Sequence, residues 1–491
     1  MFLASRRSFL FGSAAALSST LFSSAVTAAD STPLISVSAQ HPDVAAAIRL
    51  YESWVDEQMA YRQLPGIAIG IVQDQTLIWA RGFGYADVAA QKPVTPKTAF
   101  RMASNSKMFT AIAVMQMRDA GKLRLDDPVV QYLPWFKPKP AAEDDPPITI
   151  EHLVTHASGL PREAADTYWV SFKFPNKAFI QDTIAGQSAV FSPNERWKYS
   201  NLALGLAGLV VEVVSGEKFN DYQNKHILGP LGMKDTSFDV ETANLAKGYG
   251  RRMPDGSRQL MPWTDTKDLA AATGLTSTVE DMAKFVSLQF RKGPAGGSQI
   301  LKSTTLREMH RVRFMQPTWT SGQGLGFAVN RRDGKLYVGH GGSLAGYKTT
   351  TSFNIENKLG VIVLTNGDDA RPDQFAERAF DIIGAAVIKA AKPPEKPKQW
   401  DVSWSRYAGL YRSLWGDSQV VEMNRELVMI TPTADDPMQG MQKLVPLGNG
   451  VFKLEGASGG AAVGELVTFK EAGGKVVQMR VGNMTQERVG S

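Results

Sequence analysis

The most informative stretch of this chain is FRMASNSKMFT, residues 100–110. Turn-like residues 95–98 precede it, and apolar residues recur at helical spacing from 108 to 120. Ser104 is therefore predicted at a helix N-terminus, and Lys107, three residues later, on the same face of that helix. Desolvation at this position shifts a lysine towards the neutral amine, which can take the proton of a serine hydroxyl. The pair is typical of a nucleophile beside its activator.

The Ser-x-x-Lys spacing is common enough to occur by chance, and residues 215–218 repeat it. Ser215 is predicted as a turn or cap residue before a helix that begins near Phe219. Spacing alone leaves open whether Ser104 is catalytic or a structural residue at a helix start, so partners elsewhere in the chain must decide.

Length and composition limit the classes of protein to consider. The 491 residues exceed what one hydrophobic core usually serves, which predicts two domains. A hydrophobic content of 43% and a charged content of 21% are those of an ordinary soluble globular protein. Cysteine is absent, which excludes disulfides, thiolate catalysis and Cys-based metal sites.

The N-terminus has the features of an export signal. Arg6-Arg7 precedes an apolar run of small residues from 11 to 26, and Ala28-Ala29 supplies a cleavage site. This pattern predicts a twin-arginine signal peptide over residues 1–28. The cleaved protein is then expected in the periplasm or outside the cell, without stable membrane insertion. The alternative interpretation of the apolar run is a membrane anchor. Removing residues 1–28, with two arginines and no acidic residue, lowers the formal net charge from +6 to +4. So small and scattered a charge does not predict a nucleic-acid partner.

Strand patterns near both ends of the first domain predict a single antiparallel sheet. The predicted elements are, in chain order, a helix at 43–61, strands at 67–72, 76–81, 335–339, 347–354 and 359–366, and a helix at 374–391. One sheet assembled from both ends, with a largely helical middle inserted, explains this order better than two sheets do. The expected fold of residues 40–390 is therefore α+β, an antiparallel sheet flanked by helices with a helical insertion domain.

The C-terminal region differs in character. Prolines and lysines around residues 391–399 predict a solvated linker. Beyond it, residues 400–491 contain short alternating runs split by Gly, Asn and Pro, which predict a small all-β domain, either a barrel or a sandwich. The predicted strands are 419–423, 427–431, 444–447, 451–454, 465–469 and 476–481.

Two further motifs stand where a Ser/Lys enzyme needs partners. Tyr199-Ser200-Asn201 follows a predicted loop-to-strand passage and precedes a predicted helix at 202–214. His340-Gly341-Gly342-Ser343 ends a predicted strand, where two glycines let the backbone approach a ligand closely. Considered singly, each motif is weak, because Tyr199 can be an ordinary half-buried phenol and the glycines an ordinary turn.

Together, in this order, the motifs resemble those of the serine β-lactamase and penicillin-binding-protein superfamily, specifically the branch of class C β-lactamases, D-aminopeptidases, D-Ala-D-Ala carboxypeptidases and related esterases. The segments 121–129, 150–161 and 273–282 also look like signature segments of that branch. The resemblance covers residues 40–390. The C-terminal region is similar to the lipocalin-like barrels appended to some peptidases of the family, with far less specific motifs.

The resemblance implies a role for each motif residue. Ser104 is expected to be the acylated nucleophile and Lys107 its base or proton relay. Tyr199 is expected to be the second proton-transfer group, with a pKa lowered by the positive charge of Lys107. Asn201 is expected to hold Lys107 and the acyl-side amide of the substrate, and the backbone N–H groups of Ser104 and Ser343 are expected to form the oxyanion hole. One such donor is worth on the order of 3 kcal/mol.

One departure from the family pattern concerns the substrate. His340-Gly341-Gly342 stands where the β-lactamases have Lys-Thr-Gly, so an imidazole that is mostly neutral at pH 7 replaces a permanent cation. The substitution predicts weaker carboxylate recognition and resembles the esterases and aminopeptidases of the branch.

His152 and His156 lie at i and i+4 in a predicted helix, a spacing that can hold zinc. They lack the intervening glutamate of the metalloproteases and an obvious third ligand, so structural histidines are the favoured interpretation. No metal site is predicted.

The sequence thus predicts an exported serine hydrolase that cleaves an amide, peptide or ester bond of a small molecule or short peptide, without metal or cofactor. A class C-like β-lactamase or a D-Ala-D-Ala carboxypeptidase is an alternative within the superfamily. A non-catalytic acyl- or peptidoglycan-binding protein is the alternative from another class. The substrate, the oligomeric state, the acylation base and the role of the C-terminal domain stay open; that domain either narrows access to the active site or forms an oligomerisation surface.

Overall fold

The computed structural model describes residues 38–165, 167–293, 297–391, 400–433, 440–456 and 462–490. They form two compact units, one from the described residues between Leu34 and Pro393 and one from those between Pro394 and Ser491. The predicted signal peptide and residues 392–399 of the predicted linker lie outside the described residues. Within the described part of the chain, no helix combines the length and apolarity needed to span a bilayer.

Thirteen α-helices are found in the described residues of the first unit. In chain order they are α1 Pro42–Arg62, α2 Ser106–Asp119, α3 Ile150–Val154, α4 Tyr168–Ser171, α5 Lys177–Ile184, α6 Asn201–Ser215, α7 Phe219–Gln223, α8 Gly229–Leu231, α9 Ala270–Thr273, α10 Val279–Phe290, α11 Ser303–Met309, α12 Pro372–Ala379 and α13 Ala385–Ala391. Short 3₁₀ turns lie at Ala103–Asn105, Val129–Gln131 and Lys267–Leu269, and π-helical turns at Asn224–Leu228 and Phe380–Gly384.

The strands of the first unit are β1 Gly66–Gln73, β2 Thr76–Asp87, β3 Lys92–Pro93, β4 Phe100–Arg101, β5 Ser237–Phe238, β6 Leu275–Ser277, β7 Phe314–Met315, β8 Ser321–Gln323, β9 Ala328–Arg332, β10 Lys335–Leu344, β11 Tyr347–Asn354 and β12 Leu359–Thr365. Nine of them form one sheet in the order β3-β2-β1-β12-β11-β10-β9-β8-β7. Strands β1 and β12 pair antiparallel, with Ile67 opposite Thr365. The predicted sheet built from both ends of the domain is confirmed, and the helical middle lies between β2 and β7 in sequence.

Strand β1 is buried on both faces, which explains its nearly continuous apolar sequence. Ile67, Ile69 and Ile71 point into a core that includes residues of α1 and α12. Ala68 and Val72 point into a second, larger core that includes residues of α2, α6 and α10. The sheet is therefore a middle layer between the terminal helices and the helical insertion.

In the helical insertion, close packing of helices determines where the Ala272 carbonyl lies, and this carbonyl accepts a hydrogen bond from Lys107. A Cβ on Gly208 of α6 would lie 2.4 Å from the Cβ of Ala271, so only glycine lets α9 approach this closely. Helix α2 packs against both α6 and α9. As a result, the carbonyl of Ala272 at the end of α9 faces the first turn of α2.

The second unit is a closed antiparallel barrel of eight strands, which settles the choice between barrel and sandwich. Its strands are β13 Gly409–Ser413, β14 Gly416–Met423, β15 Glu426–Ile430, β16 Gln442–Gly448, β17 Val451–Glu455, β18 Leu466–Ala472, β19 Lys475–Val481 and β20 Met484–Arg488. A 3₁₀ turn at Val402–Tyr407 precedes β13. The interior is filled by side chains that include Tyr407, Tyr411 and Phe452, with Phe469 packed against them.

Candidate active site

Ser104 lies in the 3₁₀ turn Ala103–Asn105 that leads directly into α2. The preceding residue, Ala103, has φ of 47°, in the left-handed region that a non-glycine residue rarely occupies. Backbone strain of this kind is held in place only when the surroundings fix it, and it clusters at functional sites. The turn presents the Ser104 side chain at the start of the helix, as the sequence predicted.

Ser104 is in contact with both of the polar partners predicted for it. Lys107 Nζ lies 3.0 Å from Ser104 Oγ, across one turn of the helix. The Tyr199 hydroxyl donates to Ser104 Oγ at 2.8 Å, although Tyr199 is 95 residues away in the chain. The structure therefore brings the Ser/Lys pair and the Tyr-Ser-Asn motif into one cluster.

Lys107 is completely buried, and three oxygens surround its amine. Besides Ser104 Oγ, these are Asn201 Oδ1 and the Ala272 carbonyl, each 2.8 Å from Nζ. Desolvation lowers the pKa of Lys107 well below its usual range, opposed by the negative charge of Glu163. A neutral amine has two hydrogens and one lone pair. When the hydrogens go to Asn201 and Ala272, the lone pair faces the Ser104 hydroxyl.

The expectation that the pKa of Tyr199 is lowered is wrong. Burial raises the pKa of Tyr199 to about 12, and its hydrogen bond to Ser104 and the charge of Arg162 offset this only partly. The expectation relied on a positive charge at Lys107, but desolvation favours the neutral amine there. Tyr199 is therefore a neutral hydrogen-bond donor to Ser104.

Sequence reasoning missed Glu163, which lies behind Asn201. Asn201 Nδ2 donates to Glu163 Oε1 at 2.8 Å, so the amide bridges the Glu163 carboxylate and the Lys107 amine. Arg162 Nε also donates to Glu163 Oε1, at 3.0 Å, and the Tyr168 hydroxyl donates to Oε2. The signal that could have found Glu163 is its position. It is an acidic residue two places after the segment 150–161, which resembles a signature segment of the family.

Strand β10 approaches the Ser104 turn at the distance of backbone contact. A Cβ on Gly342 would lie 2.2 Å from the Met102 carbonyl oxygen, so glycine is required there. Asn105 Nδ2 ties the turn to the sheet, because it donates to the Met102 carbonyl at 3.1 Å and to Thr349 Oγ1 at 3.0 Å. Ser343, the next residue of β10, lines the same cleft as Ser104, and the oxyanion hole expected at their two backbone N–H groups stays a prediction.

His340 lies within β10 on the wall of the cleft, with its ring 6.3 Å from that of Tyr199. Burial lowers the pKa of His340 to about 4, so the imidazole is neutral at pH 7, as the sequence suggested. A permanent cation lies nearby all the same. Lys348 of β11 is the cross-strand neighbour of Ser343, and its Nζ donates to Ser343 Oγ at 2.7 Å.

The two histidines considered as zinc ligands bind protein groups. His152 Nδ1 accepts from the Thr149 amide at 3.1 Å, inside helix α3. The prediction that His156 shares this helix is wrong, because His156 follows the helix with φ of 59°. Its Nδ1 accepts from the Ser200 amide at 3.2 Å, which fixes the segment beside Tyr199. In the described ranges no three potential metal-ligating carboxylate or imidazole groups cluster.

Two other local predictions can be compared with the structure. The passage before Tyr199 was expected to end in a strand, but residues 191–199 form a loop that leads into α6. The Ser200 hydroxyl caps that helix by accepting from the Ala203 amide at 3.0 Å. Ser215 is the last residue of α6, with its hydroxyl bonded to the Val211 carbonyl and the Glu217 amide. Of the two predicted roles, the turn is confirmed by the bond from the Glu217 amide, whereas the helix that begins at Phe219 has Lys218 and not Ser215 at its N-cap.

The candidate residues other than the buried Lys107 line an open cleft of about 870 Å³. Ser104, Tyr199 and Asn201 lie on one side, and β10 with Lys348 forms another. A further wall comes from residues 368–374, which lead into the first turn of α12. The cleft is large enough for a small ester or a short peptide.

The chain is similar to known proteins over most of its first unit. A family model described as Beta-lactamase matches residues 51–385. Protein flp of Staphylococcus aureus (strain MW2) is 26% identical over 322 residues, 64% of this chain and 61% of that protein. Esterase EstB of Burkholderia gladioli is 31% identical over 228 residues, 44% of this chain and 58% of that protein. The chain thus spans about three fifths of the length of the curated relatives it matches.

A solved structure extends the similarity further along the chain. The octameric penicillin-binding protein homologue from Pyrococcus abyssi has a TM-score of 0.60 and 27% sequence identity, and the match covers 89% of this chain and 99% of that one.

Proposed function

Because this chain belongs to the beta-lactamase family, we propose that it is a serine hydrolase that cleaves an ester or amide bond through an acyl-enzyme intermediate on Ser104. The observation that carries the proposal is the position of Ser104 Oγ, which is 3.0 Å from the Lys107 amine and 2.8 Å from the Tyr199 hydroxyl in an open cleft. A buried neutral amine beside a serine hydroxyl is the arrangement that activates a serine nucleophile.

Acylation begins when the Ser104 O–H bond breaks and its proton passes to the Lys107 amine. Ser104 Oγ forms a bond to the substrate carbonyl carbon, and the carbonyl oxygen gains the electron pair. Backbone N–H groups of Ser104 and Ser343 stabilise this oxyanion. When it collapses, the bond to the leaving group breaks, and the leaving group takes the Tyr199 proton, which Lys107 then restores.

Deacylation repeats these steps with water as the nucleophile. Water gives a proton to Lys107 as its oxygen bonds to the acyl carbon. The oxyanion then re-forms the carbonyl as the bond between Ser104 Oγ and the acyl carbon breaks, Oγ takes the proton held by Lys107, and the acid product leaves. The raised pKa of Tyr199 and the lowered pKa of Lys107 favour Lys107 as the acylation base and Tyr199 as the proton donor.

The substrate is an ester, a peptide or a D-aminoacyl amide in this proposal, and the neutral His340 disfavours the β-lactamase and D-Ala-D-Ala carboxypeptidase alternatives. Lys348 supplies a cation on the same wall, so some recognition of substrate carboxylates is retained. A panel of neutral and carboxylated esters, D-aminoacyl amides and cephalosporins, compared by kcat/KM, separates these classes.

Acyl-adduct formation tests the proposed nucleophile. With p-nitrophenyl butyrate and a fluorescent penicillin as probes, we expect turnover or a stable adduct on the wild-type protein, mapped to Ser104 by mass spectrometry. Ser104→Ala should abolish both. Ser215→Ala, which changes the other serine of the same spacing, should keep full activity.

The rival function is binding without catalysis, by a protein that keeps the fold to hold acyl groups or peptidoglycan. A folded wild-type sample that gave neither turnover nor adduct would favour this rival. Loss of activity in Ser215→Ala but not in Ser104→Ala would mean that the wrong serine had been chosen.

Export is also part of the proposal, on the basis of the twin arginines and the apolar run in residues 1–28. Replacement of both Arg6 and Arg7 by lysine should retain the protein in the cytoplasm on cell fractionation. Release into the periplasm or medium despite the double substitution would contradict twin-arginine export.

A further inference from the structure

Glu163 is a carboxylate beside the reacting groups to which the proposed mechanism gives no part. Its side chain is 20% exposed, and one of its hydrogen bonds goes to Asn201, which in turn contacts Lys107. Oε1 accepts from Asn201 Nδ2 at 2.8 Å and from Arg162 Nε at 3.0 Å, and Oε2 accepts from the Tyr168 hydroxyl.

The bond to Glu163 fixes the orientation of the Asn201 amide. A carboxylate accepts hydrogen bonds and cannot donate them, so the NH₂ group of Asn201 must face Glu163. The amide oxygen must then face Lys107, at 2.8 Å from Nζ. The backbone reinforces this arrangement, since the Asn201 amide N–H donates to the Arg162 carbonyl at 2.7 Å.

Glu163 also supplies the negative charge that acts on Lys107. The other titratable groups around the amine are Arg162, whose charge opposes that of Glu163, and His156, Tyr199 and His340, which are neutral at pH 7. A buried ammonium without a counter-charge is costly. Glu163 therefore offsets the charge that Lys107 gains during acylation.

We infer that Glu163 is a positioning residue for the proposed reaction: through the Asn201 amide, its carboxylate directs the hydrogen bond to Lys107 and balances the positive charge that Lys107 acquires from Ser104. The inference rests on the proposed function, since it assigns Lys107 the role of base. It adds a residue that neither the motifs nor the comparisons pointed to.

The test is the pH profile of kcat/KM for p-nitrophenyl butyrate. A carboxylate stabilises the ammonium and so raises the pKa of Lys107; without that charge the amine stays neutral to lower pH. Glu163→Gln should therefore move the acid limb down by about 1 pH unit, the effect of one nearby charge, and lower the plateau about tenfold because Lys107 becomes a weaker base. Arg162→Gln should move the limb upwards, by less, because the Arg162 side chain is 62% exposed and screened.

Controls separate positioning from simple stability. Glu163→Asp, which keeps the charge, should restore the position of the acid limb. Glu308→Gln removes a carboxylate that pairs with two arginines, Arg118 and Arg313, and should leave the profile unchanged. A lowered plateau with an unmoved limb in Glu163→Gln would show that Glu163 is only structural. If that variant does not fold, an unmoved limb in Arg162→Gln overturns the electrostatic part of the inference.

A direct titration makes the inference independent of turnover. In Ser104→Ala protein with ¹⁵N-labelled lysine, the Lys107 amine should titrate at lower pH after Glu163→Gln. If this shift is seen and the wild type does not hydrolyse esters, the proposed function fails while the contact with Lys107 stands. If the wild type is active and Lys107 titrates unchanged, Glu163 does not act on it.

Discussion

At the scale of single residues, the protonation states of Tyr199 and Lys107 decide how the site works. With its pKa raised to about 12, Tyr199 stays protonated through neutral and mildly alkaline pH. Tyr199→Phe should lower kcat by at least about a hundredfold, the contribution of one proton-transfer group.

In the wild type, kcat/KM should not fall between about pH 8 and 10, because the donor form is lost only as pH rises through the pKa. Stopped-flow assays across that range check this, and a rise in kcat/KM with pH there that is absent in Tyr199→Phe would point to a phenolate base instead.

The residues that could be predicted at this scale are those whose spacing or motif is local. Ser104 and Lys107 are one helical turn apart, and Tyr199 and Asn201 lie two residues apart at a helix start. Glu163 could not be assigned, because its contact with Asn201, 38 positions later, depends on how the intervening segment with α4 and α5 folds back. The state of Tyr199 was misjudged for a related reason, since desolvation is set by the surrounding fold and not by the motif.

At the scale of elements, the contact of β10 with the Ser104 turn leaves no room for a side chain at Gly342. Gly342→Ala places a methyl group 2.2 Å from the Met102 carbonyl oxygen, so the strand must shift away from the turn. We expect kcat to fall at least about tenfold, since displaced oxyanion donors cost this much or more. In Gly341→Ala the new methyl group meets its nearest atom at 3.7 Å, so its loss of activity should be clearly smaller. Equal losses in the two variants, with unchanged melting temperatures, would contradict the steric explanation.

Strands were predictable where β-branched and aromatic residues are concentrated. Strand β11 was predicted with its observed ends, Tyr347 and Asn354, whereas β10 extends through the His-Gly-Gly-Ser motif to Leu344 because it pairs with β11 over that stretch. In the barrel, β13 and β20 were missed. β20, Met484–Arg488, contains mostly polar residues, and it is a strand because closure of the barrel supplies partners on both sides.

At the scale of the whole molecule, all candidate active-site residues belong to the first unit, and the barrel has its own closed set of strands and its own core. A truncated chain that ends at Ala391 should therefore fold and acylate Ser104 with a small activated ester at close to the full-length rate. Its preference among larger substrates is expected to change. The measurement is kcat/KM for a small ester and for a peptide in both chains; complete loss of small-ester acylation in a folded truncation would mean that the barrel supplies part of the site.

The pairing of β1 with β12 also governs when the protein can form. The two strands meet in the centre of the sheet although they lie about 300 residues apart in the chain. During synthesis, β1, GIAIGIVQ, gains β2 as a neighbour at once, but its other edge stays unpaired until β12 has been made, and an apolar strand with an open edge is prone to self-association. Closure of so long a loop is a slow step. The complete sheet therefore cannot form before Thr365 has been translated.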